Sequence, residues 1–198
     1  MWLQDFLAKR NLPMHLPVSM ESHQLDSNAP DCQQHAVGEM VAWVDERNED
    51  LGAQSRVRVR SEGLRHRASY IFVFNHNTSV LLQRRSHQKD LYPGWYDACA
   101  GGVLRVGESY ATNAQREVFE ELGISDGHLE LRDEFYFEQG LLRVFGASFV
   151  VMHEGPFTFT DAEVEWAQFV PIEGVLKGAY EPLTPDSAFA LRRLCPPA

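Results

Sequence analysis

The stretch from Gly102 to Ile124, GVLRVGESYATNAQREVFEELGI, constrains the fold more than any other part of the chain. If Ser109 to Leu122 is helical at about 100° per residue, then Arg116, Glu117, Glu120 and Glu121 share one arc of roughly 140°. Val118, Leu122, Ala111 and Ala114 fill the adjoining arc and give the helix an apolar side to press against a sheet. Ser109 is the candidate N-cap. Gly123 stands where the chain must leave the helix in a left-handed conformation.

Three carboxylates at i, i+3 and i+4 repel one another, each pair weakening an exposed helix by a few tenths of a kcal/mol. A divalent cation removes that penalty, because carboxylate oxygens are the ligands that hard Mg2+ or Mn2+ takes. The alternative that the residues alone leave open is a solvated acidic face with Arg116 paired to Glu120.

A length of 198 residues suits about one domain with a substantial core. The net charge of -10 argues against broad capture of nucleic acid, which needs clustered Lys and Arg. Cys32, Cys99 and Cys195 form no CxxC pair, so neither a disulfide framework nor a zinc site is indicated. No run approaches the roughly 18 apolar residues of a membrane span, and the N-terminus lacks a secretory pattern. These features predict a cytoplasmic protein that binds neither membrane nor nucleic acid.

Residues 1–37 carry Pro13, Pro17 and Pro30 and no sustained periodicity, so they are read as an N-terminal extension. Within it Trp2, Leu3, Phe6 and Leu7 could form a short docking helix; a disordered tail is the alternative. Residues 38–198 are read as the domain. Met40–Val44 is a strand, Asn48–Gly52 a turn, and Ser55–Arg67 a polar, basic stretch. Tyr70–Phe74 and Val80–Gln83 are read as a hairpin around His76–Ser79. After the Tyr92-Pro93-Gly94 turn, Trp95–Val103 enters the acidic stretch. Leu129–Phe137, Leu142–Met152 and Trp166–Val170 are further strands, and Thr158–Val164 is an acidic, exposed loop. Ile172–Leu176 is a short helix, and Pro185–Leu194 a terminal one capped by Thr184. This order predicts an α/β fold, a mixed sheet covered by helices.

The spacing Gly-x5-Glu-x7-Arg-Glu-aliphatic-x-Glu-Glu-x-Gly-aliphatic resembles the Nudix box. Gly102, Glu108, Arg116, Glu117, Val118, Glu120, Glu121, Gly123 and Ile124 fill it without departure. The resemblance implies an α/β/α sandwich with a central mixed β-sheet, and a hydrolase that cleaves a diphosphate in a small molecule. It assigns Glu117, Glu120, Glu121 and the Gly102 carbonyl to Mg2+ or Mn2+, and Glu108 and Arg116 to orientation. Water attacks phosphorus, and the base comes from Glu163, then Glu165, or from Glu120 or Glu121 itself; a solvated acidic turn is the alternative for the loop. Arg84, Arg85, Lys89 and Arg143 are candidates for gripping phosphate. Strand alternation lets at most one of Arg84 and Arg85 point inward. Tyr136, Phe137 and Trp166 either stack on a base or pack in the core, with the core favoured.

Leu64-Arg65-His66-Arg67-Ala68, Arg84-Arg85, Lys89-Asp90 and Tyr92-Pro93-Gly94-Trp95-Tyr96-Asp97 are similar to the branch that holds isopentenyl-diphosphate isomerase and related bacterial hydrolases. Gly101 and Val103 stand where the isomerase carries its catalytic cysteine and a metal-binding histidine, and the intact Glu-Glu box favours a hydrolase. His66 is read as structural or substrate-facing, and Cys99 as a buried structural residue. The isomerase, with Cys99 in play, and a catalytically silent nucleotide-binding module are the alternatives. A homodimer is left open.

Overall fold

Residues 70–74 are apolar throughout, and with 66–69 they form the central strand, β3 (His66–Phe74), buried on both faces. The computed structural model describes residues 38–159 and 163–196. The expected extension, Cys32, and Asp161 and Ala162 of the acidic loop lie outside the described residues.

β3 runs parallel to β8 (Leu142–Met152) from His66↔Val144 to Phe74↔Met152, and antiparallel to β6 (Ala100–Val103). Alternation along β3 sends Tyr70, Phe72 and Phe74 into one core and Ile71 and Val73 into another. The first core is closed by Leu191 and Leu194 of the terminal helix, which spans Pro185–Leu194. The second is closed by Ala114, Val118 and Leu122 of the acidic helix, Tyr110–Leu122. Helices therefore cover both faces of a mixed sheet, the α/β/α sandwich that the sequence predicted. Among the described residues the sheet has nine strands.

The N-terminal strands are β1 (Met40–Val44) and β2 (Asp50–Ser55), paired antiparallel. The turn between them sits earlier than expected. Asp45 Oδ1 accepts from the amides of Arg47 and Glu49 at 2.8 and 2.9 Å, so β2 already begins at Asp50. The basic stretch that follows is a helix that the sequence reading missed, α1 (Arg56–Glu62). Ser55 caps it, its Oγ accepting from Arg58 N at 3.3 Å, and Gly63 ends it in the left-handed region at φ 62°.

The expected hairpin from β3 into β4 (Ser79–Arg85) holds at a single pair, Phe74↔Val80. Because β6 takes the edge of β3 at residues 68–71, β4 has no partner there. It pairs instead with β5 (Tyr96–Asp97) and with β9 (Val164–Pro171). The sheet thus splits between β3 and β4. Val164, expected in the exposed loop, is buried and begins β9.

The acidic helix is α2, Ile172–Leu176 is α3 and the terminal helix is α4; β7 (Glu130–Gln139) pairs with β8. Thr184 occupies the cap position of α4 as expected, although its hydroxyl meets Ser187 Oγ at 2.5 Å rather than a backbone amide. On α2, Ala111 lies exposed, contrary to its expected place on the apolar side. Asn113 is buried instead, because its amide donates to Val103 O and Glu108 Oε2, both at 3.1 Å.

Candidate active site

Capping fixes α2 at both ends. Ser109 Oγ accepts from Thr112 N at 3.1 Å, and Gly123 at φ 71° sends its amide to Phe119 O. Arg116 then organises the acids. Its Nε and Nη2 fork onto Glu108 at 2.9 and 3.2 Å, while Nη1 lies 2.8 Å from both Glu117 Oε1 and Glu120 Oε2. Burial alone would raise the Glu108 carboxyl, but the Arg116 fork, the Arg105 amide and Asn113 hold it down at about 2. Glu117 goes the other way. Burial pushes it up to about 7 against the pull of Arg116, and Glu120 and Glu163 repel it further.

Gly102 lets Glu117 approach the sheet, and Gly101 lets β6 lie close against β3. A Cβ at Gly102 would lie 2.5 Å from Glu117 Oε1, and one at Gly101 would lie 2.0 Å from Ser69 O. Glu121, which is 3% exposed, accepts from Gly101 N at 3.3 Å and from Gln83 Nε2 at 3.4 Å. Glu120 sits nearest solvent, its side chain 41% exposed. The donor chemistry fits a hard divalent cation. All three side chains offer oxygen, one of them, Glu117, is an acid whose burial outweighs the pull of Arg116, and Gly102 forms a cradle beneath it. Among the described residues no three His, Cys, Asp or Glu side chains are already gathered as a cation would gather them. Arg116 draws Glu117 and Glu120 while Gly101 N draws Glu121.

The split between β3 and β4 opens a cavity of about 270 Å³ beside these acids, walled by Gly101, Gly102, Glu121, Arg85, Arg60 and Asp186. Of the four cations expected at phosphate, Arg85 lines it, with Nη1 3.1 Å from Asp97 Oδ2 and Nη2 3.0 Å from Leu91 O. Arg84 points away, as alternation requires, and its Nε meets Glu165 Oε2 at 3.5 Å. Lys89 bonds Glu163, so two expected cations are paired with the two expected bases. Arg143 lies on β8 with its Nε 3.0 Å from Glu138 Oε1, away from the cavity wall. Burial would raise the Glu163 carboxyl, but Lys89 outweighs it and holds it below the usual range.

Arg60 and Asp186 escaped the sequence reading. Their signals were an i, i+4 pair of arginines, Arg56 and Arg60, in a stretch not recognised as helical, and an acid in the first turn of α4. Asp186 accepts from Tyr70 OH at 3.1 Å, and burial together with Asp97 pushes it up to about 6.

The NUDIX domain family model matches residues 64–193. The chain belongs to the Nudix family. It is 43% identical over 157 residues to an uncharacterized Nudix hydrolase of Yersinia pestis, covering 79% of this chain and 85% of that one. An uncharacterized Nudix hydrolase of Pseudomonas aeruginosa is 39% identical over 155 residues, covering 78% and 92%. A crystal structure of a Deinococcus radiodurans protein superposes with a TM-score of 0.70 at 25% identity, covering 78% of this chain and 98% of that one. This Nudix protein is therefore a hydrolase acting on phosphorus anhydrides of small molecules, a family that generally uses a divalent metal.

Two residues of this Nudix domain that bear on the isomerase alternative, Cys99 and His66, both line the cavity although little of either is exposed. Cys99 is buried, its Sγ 3.4 Å from Asp97 Oδ1, and burial raises its thiol well above the usual range. His66 is also buried, with Nδ1 3.1 Å from Leu64 O. A carbonyl can only accept, so Nδ1 carries the proton; burial holds the ring neutral, down at about 4. Phe137 packs against the core, while Trp166 meets the Tyr96 ring and Tyr136 lies against Phe145 at the surface. Among the described residues no helix is long and apolar enough to cross a membrane.

Proposed function

We propose that this Nudix hydrolase cleaves the diphosphate of a nucleoside-diphosphate-linked or related small molecule by attack of water on phosphorus, with Mg2+ or Mn2+ as cofactor. The observation that carries the reading is the seating of Glu117 over Gly102 and of Glu121 on the Gly101 amide, with Gly101, Gly102 and Glu121 lining one cavity. Glu117, Glu120, Glu121 and the Gly102 carbonyl would hold the metal. When bound, such an ion neutralises charge on phosphate and makes water more acidic. Arg116 and Glu108 position the ligand side chains through their fork. Arg85 faces the substrate's phosphate from across the cavity.

Glu163 is the preferred base. Its charge reaches Glu117, and Lys89 keeps it ionised and ready to accept a proton. Glu165, held by Arg84 and the His87 amide, ranks second, and Glu120 third. The test is product analysis with Mg2+ and a panel of nucleoside-diphosphate derivatives plus isopentenyl diphosphate, with Glu120→Gln as the control. Cleavage that falls by about 100-fold or more in Glu120→Gln supports the reading. Undiminished cleavage in that variant, or isomerised but uncleaved prenyl diphosphate, overturns it.

A further inference from the structure

α1 lies before the segment matched by the family model, yet it reaches the wall of the cavity. Its three arginines divide by helical geometry. At about 100° per residue Arg60 stands about 40° from Arg56, whereas Arg58 points about 200° away. Arg58 is accordingly half-exposed and bonds Glu62 at 2.8 Å along the outer face. Arg56 and Arg60 are mostly buried beside Val59, which is 2% exposed and pins the helix to the domain.

We propose that Arg60, backed by Arg56, joins Arg85 to form an anion clamp for a phosphate of the substrate, in the cavity that Glu121 also lines. The proposal rests on the diphosphate reading above and extends it to a helix outside the matched segment. Arg60 and Arg85 line the same cavity as Gly101, Gly102 and Glu121. Each guanidinium already carries one carboxylate: Glu39 on Arg56 at 2.6 Å, Asp90 on Arg60 and Asp97 on Arg85 at 3.1 Å. A guanidinium has five N–H donors, so even Arg85, which also gives Nε and Nη2 to Leu91 O, keeps donors for phosphate oxygens. Among the described residues Arg56 Nε, which is buried, has no hydrogen-bond partner. Crowding is visible in the charges: burial, Arg56 and Arg85 together push the Arg60 guanidinium down to about 10. Three cations brought together against their mutual repulsion are relieved when a polyanion enters.

The experiment is calorimetric titration of the full chain with inorganic pyrophosphate, with and without Mg2+. Arg60→Gln and Arg56→Gln are compared with Arg58→Gln, which removes a charge from the same helix, and with Asp90→Asn, which breaks the Arg60 ion pair but keeps the cation. The expected result is a Kd about ten-fold weaker or more in Arg60→Gln, a smaller loss in Arg56→Gln, and none in Arg58→Gln or Asp90→Asn. Arg60→Lys, which keeps the charge, retains part of the affinity. Equal affinities in Arg60→Gln and Arg58→Gln overturn the clamp, as does an Asp90→Asn loss matching that of Arg60→Gln, which would make Arg60 a strut for its loop. The titration without Mg2+ reads the clamp separately from the metal, so intact turnover in Glu120→Gln would sink the metal reading and leave this result standing.

Discussion

Glu117 lies so close over Gly102 that no side chain can stand between them: an added Cβ would sit 2.5 Å from Oε1. For the carboxylate to move aside it must leave Arg116 Nη1, which holds the same oxygen at 2.8 Å. Gly102→Ala should therefore displace a proposed metal ligand without breaking the strand, since it lies in β6 paired with Ser69. The expected outcome is an apparent Mg2+ affinity lowered about 10- to 100-fold, measured by metal titration of activity, with the protein still folded. Unchanged Mg2+ dependence would remove Glu117 from the ligand set.

Arg116 holds three carboxylates, and two of them, Glu108 and Glu117, are largely buried with it. Removing one member of a buried ionic network leaves the others uncompensated. Arg116→Ala should lower stability by about 3 kcal/mol, read by urea unfolding. Arg116→Lys should recover part of that, because an ammonium cannot reproduce the fork onto Glu108. A variant as stable as the wild type would mean that the network contributes nothing net.

His66 gives a pH dependence with a definite sign. Its folded-state value is lowered to about 4 by burial, so below its ordinary value of 6.5 the unfolded chain binds a proton that the folded chain refuses. The stability tied to His66 is complete above pH 6.5 and is lost as pH falls towards 4. Asp186, raised to about 6, acts in the opposite sense over an overlapping range, so the comparison must be made between variants. His66→Gln should flatten the loss of thermal midpoint between pH 6.5 and 4 relative to the wild type. Parallel curves would show that His66 titrates freely.

The box helix was legible because periodicity, cap and C-terminal glycine agree over a long segment, and so was the apolar run of β3. The failures are tertiary. Nothing local in Val80–Gln83 shows that β6 will claim the edge of β3, so the hairpin was overextended and the cavity between the strands was invisible. α1 was missed because its alternating Arg-Val-Arg-Val pattern has no helical apolar stripe, and Val59 alone is buried. Its caps, Ser55 and Gly63, were the available signals. The sequence reading put Arg84, Arg85 and Lys89 just after a strand that ended at Gln83, whereas Arg84 and Arg85 close β4 itself, and alternation could not foresee that Glu165 would meet Arg84, or Glu163 meet Lys89, once β9 paired with β4.

That last pairing yields the sharpest test of the proposed base. Glu163 sits below the usual carboxylate range because Lys89 outweighs the effect of burial. Lys89→Met removes the largest influence that lowers it, so the carboxyl rises. A base works when ionised, and the acid limb of the pH profile of kcat/KM should move to higher pH in this variant. Glu163→Gln should abolish that limb, whereas Arg84→Met, which frees Glu165, should leave it in place. If Lys89→Met leaves the limb where it was and Arg84→Met shifts it, the base is Glu165. If neither moves it, the proton goes to a group on α2, and Glu120 takes the role.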